Sequence, residues 1–269
     1  YIVKSWPFII IVIMAMLFSL ISITTGSEIY GTQTLPVTWQ MLELPGTFFG
    51  LFINLLTFLY AGMVLQRDHT TGMASLLHST PIPTWVLLGS KLLAISVMQI
   101  ILLSTVMVLG MAIQTYQGYY HFEIGLYLTQ LFGIQFIHLF IWSLLALFIH
   151  TLFKNYFVGF FILLLVSIGL SFSSQFGLEQ MIFKFNQAPA TPYSDMNGYG
   201  HYLSGYFGYK IYWLALALSL YMIALWLFPR GSYPSWKERW QIAKQRSNSA
   251  NMSIVAGLLV FFLSMGSYI

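Results

Sequence analysis

Residues 87–114 read LLGSKLLAISVMQIILLSTVMVLGMAIQ, and this stretch decides the fold class of the chain. It carries a single charged residue, Lys91, close to its start. A helix that crosses a membrane needs about 20 consecutive, mostly apolar residues. An open sheet edge cannot exist in hydrocarbon, and the chain has no ten-residue alternating pattern typical of a barrel strand. The stretch therefore predicts a transmembrane α-helix.

Six other stretches of the chain have the same apolar character. The predicted spans are Pro7–Thr25, Pro45–Leu65, Leu87–Gln114, Ile124–Ile149, Tyr156–Phe176, Tyr209–Phe228 and a seventh from Met252 to the end. The composition agrees, because 58% of the 269 residues are hydrophobic and only 7% are charged, whereas a soluble domain carries roughly a quarter charged residues. We predict an all-α, polytopic membrane helix bundle.

The basic residues predict how this bundle is oriented. With the N-terminus in the cytoplasm, nine of them fall inside, namely Lys4, Arg67, Lys91, Lys154, Arg230, Lys237, Arg239, Lys244 and Arg246. Only Lys184 and Lys210 fall outside. Because cytoplasmic loops carry the excess of lysine and arginine, the N-terminus is predicted inside and the C-terminus outside. The net charge of +4 therefore reflects membrane topology, and we expect no nucleic-acid partner.

The second inside loop, residues 66–91, reads QRDHTTGMASLLHSTPIPTWVLLGSK. Asp68 or Thr70 can cap a short helix, which then carries an apolar face at i, i+3 and i+4. That face consists of Met73, Leu76 and Leu77. Pro81 ends the helix, because proline cannot continue its hydrogen bonding. Two interpretations remain open: an amphipathic helix that rests on lipid headgroups, and a docking element that a cytosolic partner moves.

This loop resembles the one that follows the second helix of ABC-2 type permeases. The resemblance is carried by Gln66-Arg67-Asp68, Gly72, Leu76-Leu77, Ser79-Thr80-Pro81 and Leu88-Gly89-Ser90-Lys91. It implies that residues 1–228 form a six-helix permease repeat, which works with a second repeat or subunit and with a cytosolic ABC ATPase. The residues implied in coupling to the ATPase are Arg67, Asp68, Gly72, Met73, Leu76, Leu77, Thr80, Pro81 and Lys91.

A narrower resemblance is to bacterial proteins in which an ABC-2 type membrane region is fused to an M1-family zinc aminopeptidase. It is carried by residues 192–200, PYSDMNGYG, together with Val37-Thr38 and residues 266–269, GSYI. It implies a multi-pass protein of the bacterial inner membrane with a basic cytoplasmic linker at 229–251. The seventh helix, 252–269, would then lead to an external peptidase whose zinc site lies beyond Ile269.

The chain itself lacks the motifs of an enzyme. No GxxxxGK[ST] sequence occurs, so a P-loop is absent and ATP would be hydrolysed on a partner subunit. No HExxH sequence occurs either, and there is no cysteine, which excludes disulfides and thiolate zinc sites. We therefore expect no catalytic residue, cofactor or metal ligand in this segment.

Polar residues inside the predicted spans are the candidates for a transport pathway. They are Asn54, Gln99, Gln130, Gln135 and His138. The alternative is that they form hydrogen bonds between helices, each contributing about 1 kcal/mol or less. No acidic or basic residue lies near the middle of a span, which disfavours an ion-coupled secondary transporter.

Three functions therefore compete on the sequence alone. The first is the permease of an ATP-driven transporter. The second is a membrane anchor or scaffold for an external metallopeptidase, without transport of its own. The third, a fragment of a secondary transporter, is disfavoured by the absence of a charged coupling site within the spans.

Overall fold

The computed structural model describes residues 6, 8–10, 12–14, 16–17, 28–29, 32–33, 35–74, 80–229 and 236–269. Two-residue strands β1 and β2 pair antiparallel, Glu28 with Gln33 and Ile29 with Thr32. The main elements are β1 (Glu28–Ile29), β2 (Thr32–Gln33), α1 (Thr38–Thr70), α2 (Thr84–Tyr116), α3 (Ile124–Leu152), α4 (Tyr156–Ser171), α5 (Tyr202–Leu227), α6 (Trp236–Arg246) and α7 (Ser249–Tyr268). Within α3, residues Leu128–Gln135 form a π-helix.

Five of these helices are long and apolar enough to cross a membrane. They are Gly50–Thr70 of α1, all of α2, all of α3, all of α5 and all of α7. They correspond to the second, third, fourth, sixth and seventh predicted spans. The protein is thus an all-α, polytopic helix bundle, as the apolar runs predict. The described part of the first predicted span, residues 8–10, 12–14 and 16–17, is helical, and its other residues lie outside the described ones.

The fifth predicted span, Tyr156–Phe176, is shorter than expected. Its α-helix, α4, has 16 residues, or about 24 Å, against about 30 Å for the hydrocarbon core. The chain continues as a 3₁₀-helix, Ser173–Phe176, and turns at Gly177 with φ +78°. The hydroxyl of Ser173 donates to Leu170 O at 2.6 Å. Serine side chains that bond the backbone in this way compete with α-helical hydrogen bonds, which explains the early end.

The chain divides into two compact units, of which the first contains residues 1–57 and 95–140. One end of its interior is organised by Gln114, whose side chain is fully buried. Gln114 Nε2 donates to Pro36 O at 2.9 Å and to Thr38 Oγ1 at 3.2 Å. Gln114 Oε1 accepts from the hydroxyl of buried Tyr127 at 3.0 Å. These bonds involve the first residue of α1, so α1 starts at Thr38 and not at Pro45 as predicted.

The second unit contains residues 58–94 and 141–269. A chain of edge-to-face rings runs through it, from Phe58 to Trp142, Phe185 and Trp213, with centroids 5.1, 5.1 and 5.3 Å apart. Helix α7 packs on α5 through a stack of Phe262 on Tyr212, with ring centroids 4.3 Å apart. The rest of α7 is largely exposed, as expected of a helix that faces lipid.

The segment between α4 and α5 is an ordered cap on the end of α5. Trp213 Nε1 donates to Gln187 O at 3.1 Å. Lys210 was predicted to be an outer topological charge, yet it is only 2% exposed, and its Nζ donates to Asn186 O at 2.6 Å and to Asn186 Oδ1 at 2.8 Å. Ser194 and Gly198 form a backbone bridge around Asn197. Burial raises the pKa of Tyr199, in this cap, to about 12.

Candidate functional site

The predicted coupling segment begins inside α1, because α1 continues to Thr70 instead of ending at Leu65. Asp68 consequently lies in the last turn of α1 and does not cap a separate helix, which corrects the sequence interpretation. Gly72 has a φ of +70°, and its left-handed backbone turns the chain away from α1. Met73 follows with 49% of its surface exposed. Leu76 and Leu77, the other two members of the predicted apolar face, lie outside the described residues.

The two sides of this segment are joined by Lys91, from the third turn of α2. Its Nζ lies 2.7 Å from Asp68 Oδ2 and donates to Val64 O at 3.1 Å. Lys91 is only 9% exposed, so most of the charge is removed from solvent. The ion pair explains why the polar residues after Leu65 continue the helix, since the carboxylate finds its partner there. The sequence placed both residues in one coupling set, and the structure brings them together.

The other predicted coupling residues of this segment lie at the surface. Arg67, Thr80 and Pro81 are exposed. The hydroxyls of Thr70 and Thr71 donate to Arg67 O at 3.0 and 2.8 Å, which satisfies a carbonyl at the end of α1. The described residues on both sides of positions 75–79 therefore form a surface next to a buried ion pair.

The same end of the second unit is fastened by a side-chain amide from α1. Gln66 is 9% exposed, and its Nε2 donates to Lys154 O in the turn between α3 and α4. Asn155, the next residue of that turn, caps α4 by accepting from Phe157 N at 2.9 Å. The turn that follows α3 is thus bound to α1, the helix that leads into the predicted coupling segment.

The basic linker, residues 229–251, contains the helix α6 and two cations that bind helix ends. Arg239 is 4% exposed, and its Nη1 donates to Thr151 O at 3.0 Å and Leu152 O at 3.2 Å, the C-terminal carbonyls of α3. Arg246 Nη1 donates to Phe228 O at 2.6 Å, just after α5. A cation at a helix C-terminus also interacts favourably with the helix dipole.

Gln99, a pathway candidate, lies in the first unit and bonds neighbouring helices. It is fully buried, and its Nε2 donates to Thr57 Oγ1 of α1 at 3.0 Å and to Leu139 O of α3 at 3.3 Å. One amide therefore connects three helices, as the packing interpretation requires. Asn54 lies nearby in sequence on α1, and its Oδ1 is buried with no hydrogen-bond partner among the described residues.

The remaining three candidates, Gln130, Gln135 and His138, lie in or just after the π-helix of α3, which the sequence did not predict. The first N–H after it, that of Phe136, donates to Leu131 O, five residues back. Gln130 and Gln135 are therefore one π-turn apart on the same face, whereas in an α-helix they would be about 140° apart. A Cβ built on Gly50 would lie 2.8 Å from Gln135 Nε2, so that amide passes over a glycine of α1.

One buried polar site was missed by the sequence analysis. His150, in the last turn of α3, is 1% exposed, and its Nε2 donates to Phe58 O at 2.8 Å. The ring is confined by two glycines, because a Cβ on Gly62 or Gly159 would lie 2.6 or 2.3 Å from it. In the sequence, the signal for a buried ring was a glycine in each of two separate apolar runs, Gly62 and Gly159. Within the described residues, no group of three His, Cys, Asp or Glu side chains could hold a metal ion.

Comparison with known proteins adds one finding. The model of the family described as ABC-2 family transporter protein matches residues 3–170. The match includes the whole segment from Gln66 to Lys91 and α1 to α3. A search of the curated proteins found no significant match to the chain, and neither did a search of the solved structures. The matched region is more than half of the chain, and its polytopic helices are those of a membrane component. The chain belongs to the ABC-2 family of transporter proteins and is a transmembrane component of an ABC transporter.

Proposed function

We propose that this chain is the permease subunit of an ATP-driven transporter, and that a cytosolic ABC ATPase docks on the segment between α1 and α2. The observation that carries the proposal is the contact of Lys91 with both Asp68 and Val64 O. Because these bonds fix the start of α2 to the end of α1, a force on the intervening segment acts on both helices together. Without this contact the segment would be a hinge between two independent helices.

A second argument is that the docking end is rigid where it meets the bundle and exposed where a partner would bind. Gln66 ties α1 to the turn at Lys154, and Arg239 ties α6 to the end of α3. Met73, in contrast, exposes 49% of its surface. An apolar side chain on a polar loop is stabilised when a protein groove or lipid covers it. ATP itself would be bound by the partner, because this chain has no P-loop.

Photo-crosslinking can identify what covers this surface. A diazirine side chain replaces Met73 in one variant and Met196 in another, since Met196 is 99% exposed in the cap at the other end of α5. The expected product from position 73 is a protein that contains GxxxxGK[ST], and position 196 should not yield it. Exclusive formation of lipid adducts at position 73 would support the interfacial helix instead.

Substitution of Leu76 and Leu77, two residues of the predicted apolar face, tests the coupling to the ATPase. Replacing both with aspartate puts charge into a dry contact, which costs several kcal/mol if the groove exists. Copurification of the ATPase and its hydrolysis rate should fall together, while membrane insertion persists. Normal ATPase binding and hydrolysis in the double variant would contradict a docking role.

The proposal includes an orientation, with the segment from Gln66 to Lys91 in the cytoplasm of a bacterium and the cap outside the inner membrane. The chain has no cysteine, so introduced cysteines report without background. Cysteines at Tyr120 and Ser194 should react with impermeant reagents in intact cells. A cysteine at Ser247 should react only after the membrane is opened, and its labelling in intact cells would exclude this orientation.

The finer part of the proposal concerns a fused peptidase. The resemblance of residues 192–200 and 266–269 to aminopeptidase fusions supports an external M1-type zinc domain after α7, which is long enough to cross the membrane. An anchor for that domain, with no transport, is the alternative function. The two are separated by the adjoining reading frames: an HExxH downstream supports the fusion, and a P-loop ATPase alongside supports the permease over the anchor.

A further inference from the structure

Helix α6 has two sides of different character. The side that contains Arg239 and Ala243 is buried. A second side carries Lys237, Trp240 and Lys244, at positions i, i+3 and i+7 of the helix, and all three are exposed, Trp240 with 72% of its surface. We propose that these three residues, the α6 outer face, bind the surface of an anionic bilayer. This contact is separate from the coupling segment and does not depend on the proposed transport function.

Two contacts hold α6 along the membrane boundary. Arg239 Nη1 donates to Thr151 O at the end of α3, and Arg246 Nη1 donates to Phe228 O just after α5. Helices α3 and α5 are both candidate membrane spans, so their ends mark the edge of the hydrocarbon layer. Residues 239 and 246 are about 10 Å apart along the axis of α6. A helix bound at both points lies along this edge, at the level of the lipid headgroups, and does not extend away into solvent.

The connection to α7 keeps the end of α6 next to lipid. Only residues 247 and 248 lie between α6 and α7, and a connection of this length spans no more than about 11 Å. Helix α7 is a candidate membrane span, and most of its surface is exposed, as expected of a helix that faces lipid. The α6 outer face therefore lies close to bilayer lipid whether or not a soluble partner is bound.

The charge and the residue types of the α6 outer face fit an anionic headgroup layer. Residues 229–251 contain five basic residues and one acidic residue, Glu238. Basic side chains beside a membrane are attracted to anionic lipids, and a lysine can place its ammonium among the phosphates while its stem follows apolar surface. Tryptophan is enriched at membrane–water interfaces because its ring is largely apolar and its N–H is polar. A bilayer surface thus uses the indole of Trp240 and both ammonium groups together.

Photo-crosslinking of the purified chain in vesicles identifies what covers the α6 outer face. A diazirine side chain replaces Trp240, and the vesicles contain phosphatidylglycerol and phosphatidylcholine in equal amounts. We expect lipid adducts in the mass spectrum, with phosphatidylglycerol favoured about fivefold, the effect of one basic charge near an anionic surface. The matched control is a diazirine at Gln245, exposed about 140° further round α6, which should give few lipid adducts. Few lipid adducts at position 240, or equal yields of the two lipids, would overturn the proposal.

Two pairs of substitutions test the lysines. With the diazirine at position 240, Lys237→Gln combined with Lys244→Gln should reduce the preference for phosphatidylglycerol to within about twofold, because the charge near the surface is lost. Lys237→Arg combined with Lys244→Arg keeps both charges and should keep the preference. An unchanged preference in the glutamine pair, or its loss in both pairs, would overturn the assignment. In native membranes the same probe should again form lipid adducts, and protein adducts in their place would overturn the bilayer as the ligand of this face.

Discussion

The two compact units differ in how they bury polar groups. In the first unit the buried polar contacts are made by neutral amides and hydroxyls, with Gln99 and Gln114 bonding across helices. In the second unit, cations make such contacts beside neutral groups such as Gln66 and His150. Among the described residues, the three buried charged side chains, Lys91, Lys210 and Arg239, all belong to the second unit. Each of the three donates to a backbone carbonyl, and Arg239 does so at the C-terminal end of α3.

This difference indicates where a force could be transmitted. A neutral amide between apolar helices contributes little energy and can be replaced by lipid-like packing. A buried cation requires its partners, because an unpaired buried charge costs several kcal/mol. Separating the groups that these cations join therefore costs several kcal/mol. Lys91 attaches the segment implied in ATPase coupling to the end of α1 through Asp68. Substitutions at Lys91, Gly159, Arg239 and Gln99 should therefore change the free energy of unfolding by different amounts.

The largest effect is expected at the ion pair. Lys91→Met leaves the Asp68 carboxylate, which has 17% side-chain exposure, without its cationic partner. We expect a loss of about 3 kcal/mol in the free energy of unfolding, at the low end for breaking a buried pair because Asp68 keeps some exposure. An SDS-unfolding titration in mixed micelles measures it.

The double variant Asp68→Asn with Lys91→Met separates the pair from general damage. It should recover a large part of the loss, because neither side then carries an unpaired charge. The control, Lys237→Met, removes an exposed charge and should stay within about 0.5 kcal/mol. Equal losses in the Lys91 and Lys237 variants would mean that the ion pair contributes no specific stability.

The next-largest loss of stability is expected at a glycine of the second unit, and a glycine of the first unit serves for comparison. Gly159→Ala in the second unit places a Cβ 2.3 Å from Nδ1 of His150, whose ring is held by Phe58 O. We expect a loss of about 2 kcal/mol from overpacking. Gly50→Ala in the first unit meets only the end of the flexible Gln135 side chain, at 2.8 Å, and should be close to neutral. Thermal unfolding in detergent measures both.

The control for this pair is Gly169→Ala, also on α4, where nothing lies within 4 Å of the new Cβ. It should stabilise by about 0.5–1 kcal/mol through helix propensity. If Gly159→Ala behaves like Gly169→Ala, then His150 moves freely and the second unit is less rigid than its hydrogen bonds suggest.

The membrane-spanning fold was predictable because the signal is local. A run such as residues 92–113 is apolar regardless of what surrounds it, and five of the seven predicted spans are confirmed as candidate spans. The end of α1 was not predictable, since residues after Leu65 are polar and remain helical through contacts with residues distant in sequence. Gln66 with Lys154 O and Asp68 with Lys91 supply those contacts.

For the candidate site, the sequence predicted which residues take part but not the contacts between them. Asp68 and Lys91 were both assigned to coupling from resemblance, but their ion pair depends on how two helices meet. The π-helix of α3 could not be read from LTQLFGIQ, because its extra residue per turn is a response to packing and not to composition. The partner of Arg239 could not be predicted either, because only the fold places the end of α3 beside it.

A smaller effect is expected for the helix-capping arginine of α6. Arg239→Met keeps most of the apolar stem and removes the donors to Thr151 O and Leu152 O. Loss of a charged donor at a helix C-terminus should cost about 1.5 kcal/mol. The same SDS-unfolding titration applies, with Lys237→Met again as the matched control from the same helix. A loss no greater than that of the control would mean that water replaces Arg239 at the end of α3.

The smallest effect is expected in the first unit, at Gln99. Gln99→Leu removes the hydrogen bonds to Thr57 Oγ1 and Leu139 O, yet leaves an apolar side chain of similar size between three helices. Hydrogen bonds between membrane helices average about 0.6 kcal/mol, so a loss of this order is expected in the SDS-unfolding titration. Thr57→Val combined with Gln99→Leu should add little, because no polar partner is then left unsatisfied. Once a substrate is known, its transport selectivity should be unchanged in these variants. A loss of stability for Gln99→Leu that exceeds the loss for Arg239→Met would reverse the contrast between the two units. A change of transport selectivity at unchanged stability would assign Gln99 to the transport pathway instead of helix packing.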